Sequence, residues 1–456
     1  LFSLNGFKYS TIFRLILKFI KLSLVNMKEI KLFSLIAFLL FSIFNVQAQP
    51  PQNPIKVEIR QENGAWQLYR GGEPYYINGV GGQSHLDRAV AYGANSVRTW
   101  GAGEAIAVLD DAHAKGLTVL FGLWVGCERQ GFDYDDAKGV QAQLERFTEV
   151  VKEYKDHPAI LMWGIGNETD LFYSDFKVWN AINDIAKMVH EVDPNHPTMT
   201  VTAGLDVAEI QLVKERAPHI DVFGINTYGG LIGIDKEMRA YGWEKPYVIT
   251  EWGPDGHWEV AKTDWGVPIE QTSSEKARFY KERYEKGIAN DKEMCIGSYV
   301  FLWGQKQETT PTWYGVFLED GTETEVMDVL EYEWSGKMPE NRSPHIESIK
   351  LENKVALESV YVKPGKTCQL VVDVKDPDQD ELKYRWEILP ESTDIKSGGD
   401  AESRPEPVEI VIKPGSENGT LNFKAPKKEG PYRLFTYIYD GNGNAATANI
   451  PFFVRK

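Results

Sequence analysis

The sequence predicts an α/β protein: a (β/α)8 TIM barrel followed by a small all-β immunoglobulin-like sandwich. Three observations carry this expectation. Between residues 75 and 303, eight short apolar runs alternate with amphipathic helical patterns. Two of those runs end abruptly in a carboxylate: Ile160-Leu161-Met162-Trp163-Gly164-Ile165-Gly166-Asn167-Glu168 and Tyr247-Val248-Ile249-Thr250-Glu251-Trp252-Gly253. Beyond Pro344 the helical period disappears, and strand-length segments separated by turn residues take over.

The bounds agree with this. A chain of 456 residues accommodates one large domain and a smaller one. Its 42% hydrophobic and 25% charged residues are ordinary for a globular protein. A net charge of −16 argues against nucleic acid or an anionic membrane as partner and suits a neutral ligand. Cys127, Cys295 and Cys368 are odd in number and far apart, so they give no disulfide framework and no zinc spacing. No cofactor or metal is expected, and the chain is expected to act as a monomer.

Taken in order, the chain first shows a targeting segment. Lys28 and Lys31 precede the apolar run 32–44, and Val46 and Ala48 supply small residues for cleavage. Met27 reads as the start and residues 1–48 as upstream sequence plus signal peptide, so the mature chain is expected to be periplasmic or extracellular. No later stretch is long and apolar enough to span a bilayer. Residues 50–74 carry short strand signals that could close one end of a barrel.

The barrel is expected over 50–338. Its strands are read at 75–80, 95–99, 118–125, 160–166, 198–202, 222–227, 247–250 and 298–303. Helical patterns between them include 105–115, 140–154, 176–192 and 275–289, with Gly116 and Asp193-Pro194 as stop signals. Each apolar strand run is flat in periodicity, as strands buried on both faces are. A doubly wound open sheet is the alternative, but no glycine-rich phosphate loop follows the first strand. In such a barrel the working residues come from the C-terminal strand ends. That rule selects His85, Arg98, Trp100, Trp124, Asn167, Glu168, Asn226, Tyr228, Glu251, Trp252 and Trp303. Two carboxylic acids on that face are what glycosidic bond cleavage requires, one to protonate the leaving oxygen and one to attack the sugar.

The Gly-Asn-Glu closing strand four and the Thr-Glu-Trp-Gly closing strand seven resemble those of clan GH-A retaining glycoside hydrolases, over residues 75–335. The resemblance implies Glu168 as acid/base and Glu251 as nucleophile. Within the clan, the compact barrel, the spacing of the two glutamates and the appended β domain resemble glycoside hydrolase family 158, endo-β-1,3-glucanases. The run Trp163–Glu168 also resembles the barrel of family 2 enzymes. Those carry β-sandwich domains before the barrel, for which the segment ahead of this one is short; family 158 is the expectation.

A retaining mechanism places the carboxyl groups about 5–5.5 Å apart. Glu168 must hold a proton near neutral pH, which burial and a neighbouring negative Glu251 favour. Arg98 is a cation placed to keep Glu251 ionised, and Tyr228 can donate to it. Asn167 is expected to bond the sugar 2-hydroxyl, Trp303 to form the floor under the cleaved sugar, and His85, Trp124 and Trp252 to contact substrate. Trp258, Trp265 and Trp313 are further aromatic candidates, and the loop 255–268 is placed to shape one wall. Glu128, Asp170 and Asp255 read as solvated loop charges.

Residues 339–344 read as a linker and 344–456 as the sandwich. Its strands are read at 360–362, 368–374, 382–388, 408–412, 420–423, 432–439 and 446–454. Asp376-Pro377-Asp378-Gln379-Asp380 with Tyr384 and Trp386 is similar to polycystic-kidney-type or cadherin-like modules. The acidic loop is either a hairpin loop or a calcium site.

The expected activity is endo-acting hydrolysis of laminarin-type β-1,3-glucan. Alternatives are a β-mannanase, β-1,4-glucanase or β-galactosidase of the same clan, a transglycosylase using the same pair, or a carbohydrate-binding protein on a barrel scaffold. The last would need one glutamate replaced, and both are present.

Overall fold

A computed structural model describes residues 53–456 except Glu104. The expected signal peptide and the residues before it lie outside the described residues. The described chain opens with a three-stranded antiparallel sheet, β1 (Val57–Glu62), β2 (Ala65–Arg70) and β3 (Glu73–Tyr75). Asn63 and Gly64, both at positive φ, make the first turn, the pair a tight hairpin asks for.

Eight parallel strands then close a barrel: β4 (Ile77–Gly81), β5 (Ser96–Arg98), β6 (Thr118–Leu123), β7 (Ile160–Ile165), β8 (Thr198–Ala203), β9 (Val222–Asn226), β10 (Tyr247–Trp252) and β11 (Cys295–Val300). Each pairs with the next and β11 returns to β4. All six residues of β7 are buried, as are those of β10 and β11, which is why their sequences show no alternation. The barrel core joins Leu120, Met162, Met199, Val222, Val248 and Ile296 to Val57 and Leu68 of the small sheet. That sheet bonds the segments leading into the strands: Val57 N to Asn195 O, and Trp66 N to Glu293 O. It therefore closes the N-terminal end of the barrel and leaves the C-terminal end open.

The helices form the outer ring. Ala137–Tyr154 starts on an Asp136 cap, Val207–Arg216 on an Asp206 cap, and Ser273–Arg283 on a capping box of Thr272 and Glu275. Lys177–Val192 buries Trp179, Ile182, Ile185, Ala186 and Val189 at helical spacing against the strands.

The second layer pair is the sandwich. One sheet orders β12 (Glu323–Thr324), β19 (Asn444–Val454), β18 (Gly430–Tyr439) and β16 (Lys383–Pro390), with β14 (Val360–Val362) pairing farther along the edge of β19 that β12 uses. The facing sheet is β13 (His345–Leu351), β15 (Thr367–Lys375) and β17 (Thr420–Lys424). In β15, Cys368, Leu370 and Val372 are buried while Thr367, Gln369, Val371 and Asp373 are exposed, the period of a half-buried strand. The predicted strand at 408–412 reduces to single bridges, Val408 to Ile388 and Ile412 to Phe423.

The segment read as a linker is bonded through Asn341, Arg342 and Ser343. Ser343 gives its N–H and hydroxyl to Asp328 of the barrel's last helix, and Arg342 N donates to Asp378. Asp376 accepts from the N–H groups of Asp378 and Asp380, and Asp380 accepts from the Asn341 and Asn442 amides. The acidic loop thus clasps this joint. Among the described residues no group of three or more His, Cys, Asp or Glu is placed to hold a metal. β12 comes from the barrel segment and pairs with β19 of the sandwich, so one sheet spans both parts.

Candidate active site

A cavity of about 620 Å³ lies at the open C-terminal end of the barrel, and both Glu168 and Glu251 line it. Glu251 is brought there by β10 and is 5% exposed. Its Oε1 accepts from Arg98 Nη1 at 2.9 Å and from Trp100 Nε1 at 2.8 Å; its Oε2 accepts from the Tyr228 hydroxyl at 3.0 Å. Three donors and no acceptor is a setting that fits a carboxylate.

Glu168 sits differently. β7 ends at Ile165, Gly166 turns the chain at a φ of 80°, and Glu168 itself lies at 48°. A Cβ on Gly166 would meet Thr169 Cγ2 at 3.0 Å, so glycine is needed twice over. Glu168 takes one side-chain bond, from Asn226 Nδ2 at 2.8 Å. Burial first, and then the negative charge of Glu251, push its carboxyl up to about 7, against the pull of the Asn226 bond. The two carboxyls therefore face one cavity in opposite electrostatic settings.

Arg98, 2% exposed, ties the set together. Its Nη1 also donates to Thr250 O at 2.7 Å, and its Nη2 donates to Asn167 Oδ1 at 2.6 Å. Asn226 Nδ2 adds a second bond to Asn167 Oδ1, at 3.1 Å. With its oxygen occupied twice, Asn167 lines the cavity with an Nδ2 that has no protein partner among the described residues. Burial and the charge of Glu251 hold the Tyr228 hydroxyl far above the usual phenol range, so it stays a donor.

Of the predicted residues, Arg98, Trp124, Asn167, Glu168, Tyr228 and Glu251 come together here. His85, Trp252 and Trp303 do not line the cavity. Trp252 follows Glu251 in the strand, so if one side chain points into the barrel the next points out; it is fully buried against Tyr280 and Tyr284. Trp303 was placed at a strand end, but β11 runs three residues earlier than 298–303 and stops at Val300. Trp303 instead packs on Phe317 and Trp334, and Phe301 takes the cavity position. His85 is exposed at the start of the helix Leu86–Ala91 and packs on Phe317. In the loop 255–268, Trp258 lines the cavity, whereas Trp265 packs against Tyr361 and Phe453 of the sandwich. Glu128 is no loose charge: it accepts from Ser174 and Asp175. Asp170 accepts twice from Ala203 N, and burial pushes it up to about 7.

Trp100 and Asn226, which the strand-end rule also selects, line the cavity as well. Other lining residues fall outside that rule. Glu259, Lys306 and Glu308 come from loops after the last strands, and Ser397, Gly398 and Gly399 come from the sandwich; no barrel rule points to them.

A closed eight-stranded barrel with one glutamate just past its fourth strand and another near the end of its seventh is a barrel of glycoside-hydrolase type. More particularly, residues 93–261 match the family model described as glycosyl hydrolases family 2, TIM barrel domain. Family 2 is the one whose barrel the run Trp163–Glu168 resembles, and the expectation of family 158 gains no support from the match. Similar curated proteins include the β-glucuronidase of Felis catus, 23% identical over 170 residues, and that of Chlorocebus aethiops, 24% identical over 216. These alignments cover 34% and 40% of this chain but only 23% and 32% of the relatives. Among solved structures, the β-D-glucuronidase of Dictyoglomus thermophilum is similar with a TM-score of 0.48 and 19% identity, over 62% of this chain and 54% of that one. A Bacteroides uniformis β-glucuronidase gives 0.49 and 16%, over 88% and 48%.

Proposed function

We propose that the chain is a retaining β-glycosidase in which Glu168 is the acid/base and Glu251 the nucleophile. The observation that carries this is the contrast between the two carboxyls: one cavity, three donors fixing Glu251, and burial plus the Glu251 charge raising Glu168 to about 7. In the first step the Glu251 carboxylate attacks the anomeric carbon while Glu168 gives its proton to the leaving oxygen. Forming the ester removes the Glu251 charge, and with it one of the two causes that raise Glu168. Glu168 then becomes the better base and takes a proton from the water that releases the sugar. Asn167 Nδ2 is available to a sugar hydroxyl throughout.

For substrate, the reading is a neutral β-linked glucan, with β-1,3-glucan first, supported by the resemblance of the sequence and by the charge of the cavity. Glu168, Glu251, Glu259 and Glu308 line it, and Lys306 is the cation among its lining residues. Lys306 lies 2.9 Å from Glu308 and is engaged with it. A β-glucuronide is the second reading, favoured by the names of the relatives; Lys306 would then have to serve the uronate. Export by the N-terminal segment completes the proposal, and the N-terminal sequence of the secreted chain tests it.

The experiment is turnover of 4-nitrophenyl β-glucoside, β-glucuronide, β-galactoside and β-mannoside, together with laminarin, cellulose and mannan. A 2-fluoro glycoside of the preferred sugar should trap an ester on the peptide carrying Glu251. Release of the inverted anomer, or a label on another residue, overturns the mechanism. Preference for the glucuronide overturns the substrate reading and leaves the mechanism standing.

A further inference from the structure

We propose that the sandwich supplies a wall of the glycan cleft, the stretch Ser397–Gly399, and so takes part in choosing glycans longer than one sugar. The inference rests on the glycosidase reading and deepens it. The stretch belongs to the long connection between β16, which ends at Pro390, and β17, which begins at Thr420. It lines the same cavity as Glu168 and Glu251, although more than a hundred residues separate it from either.

The connection is fastened to the barrel at four places. Asp400 accepts from Arg129 Nη1 at 3.2 Å and from Gln130 Nε2 at 3.1 Å. Gly399 O accepts from Lys306 Nζ at 2.7 Å, and Glu402 accepts from Thr309 N at 2.6 Å. It is also tied to itself and to its own sheet. Asp394 holds Ser403, Glu402 holds Lys396 N, and Arg404 donates twice to Glu387 of β16. A connection with this many anchors is a fixed surface and not a tether.

Its chemistry suits hydroxyl groups. Gly398 and Gly399 lie at φ of 64° and 70°, and a Cβ on Gly398 would come within 2.7 Å of the Arg129 guanidinium. The close approach therefore needs glycine, and the wall it makes is bare backbone plus the Ser397 hydroxyl, neutral donors and acceptors in one strip. The same cavity carries the rings of Trp124, Trp258 and Phe301. Aromatic faces with a few fixed polar groups are the usual means of holding a sugar ring. Lys306 joins the wall to the site, since it lines the cavity, bonds Gly399 O and lies against Glu308.

The test compares a short and a long substrate on two variants of the full chain. Ser397→Trp places a bulky ring on the wall; Val411→Ser alters the same connection where it does not line the cavity. For Ser397→Trp, KM for laminaripentaose is expected to change by about tenfold or more, and the change in KM for 4-nitrophenyl β-glucoside to be much smaller, with kcat within about threefold for both. Val411→Ser should leave both substrates alone. Equal effects on both substrates, no effect on either, or the same effect from Val411→Ser overturns the inference. Affinity for laminaripentaose, read by tryptophan fluorescence in a Glu168→Gln background, separates the two claims. If the parent background binds the pentaose but the wild type cleaves no glycoside, the glycosidase reading falls. If Ser397→Trp then leaves that affinity unchanged, or the background does not bind the pentaose, the wall falls as well.

Discussion

Replacing Glu168 by alanine should do more than slow the enzyme; it should erase one limb of its pH profile. The carboxyl is pushed from its ordinary 4.5 up to about 7. At pH 7 about half the molecules then hold the proton, where an unperturbed group would hold it in roughly 0.3% of them. Burial and the Glu251 charge thus enlarge the acid form by roughly 150-fold at neutral pH. For a glycoside with a poor leaving group, kcat/KM should fall about tenfold per pH unit above the value of that carboxyl. Glu168→Ala should cost about 10² to 10⁴ on such a substrate, and the limb should disappear with the side chain. A 2,4-dinitrophenyl glycoside needs no proton to leave, so its first step should survive and the second become limiting. Azide, which attacks without a base, should then restore turnover and yield the β-glycosyl azide. The assay is initial rate against pH for both substrates, with and without azide. Azide rescue of Glu251→Ala with none for Glu168→Ala would reverse the roles. A limb persisting in Glu168→Ala would assign it to another group, and Asp170, also raised to about 7, is the first to try.

Three further outcomes follow from the same structure. A carboxyl raised in the fold contributes stability below its unfolded value of 4.5 and loses it as pH climbs through about 7. Glu168→Gln should therefore match the wild type near pH 4.5 and exceed it at pH 8, by no more than about 3 kcal/mol, read as Tm against pH. A constant difference across that range would mean the cost is steric. Trp303→Ala should cost about 3–5 kcal/mol of stability with little change in KM, because the ring is wholly buried behind the site, whereas Phe301→Ala should raise KM. Ending the chain at Ser343 should yield insoluble protein, since it strips the Asn449 amide from the buried Glu270, the β19 partner from β12 and the Ile346 N–H from Ser274. A soluble, cooperatively melting truncate would show that the barrel owns a self-sufficient core.

The barrel was legible because its signals are local and repeated. Flat apolar runs of strand length, separated by helical periods with caps and stops, leave few architectures, and the strand-end rule then finds Arg98, Asn167, Glu168, Tyr228 and Glu251 without any contact being known. What failed, failed at strand registers and in loops. The last strand was read three residues late because Phe301 and Trp303 are strong strand formers, and that shift moved Trp303 into a site it only supports from behind. Trp252 was misplaced by treating a strand end as a patch, when adjacent side chains of a strand face opposite ways. The strand His345–Leu351 was missed because its burial follows no clean alternation, a register shift falling between Ile346 and Ser348. The glycines at 398 and 399 had no sequence signal, since what makes them site residues is the docking of one sheet-bearing segment on another.

That docking is itself held by groups that would be costly elsewhere. Glu270 and Lys276 form a buried pair at 2.6 Å, and Glu270 also takes Thr310, Thr312 and the Asn449 amide of β19. Arg433 of β18, equally buried, donates to Pro268 O and to Glu391 and Asn449. A buried pair of this kind adds little net stability over an apolar contact, but removing one partner costs about 3–5 kcal/mol. It therefore tolerates few alternative arrangements. The network joins the segment after Trp258, through Pro268 and Glu270, to β18, β19 and Glu391 at the start of the connection that follows β16. A barrel and a sandwich joined only by apolar surface would be free to slide by a residue; joined through Glu270 and Arg433, they hold Gly398 and Gly399 on the cavity that Glu168 and Glu251 line.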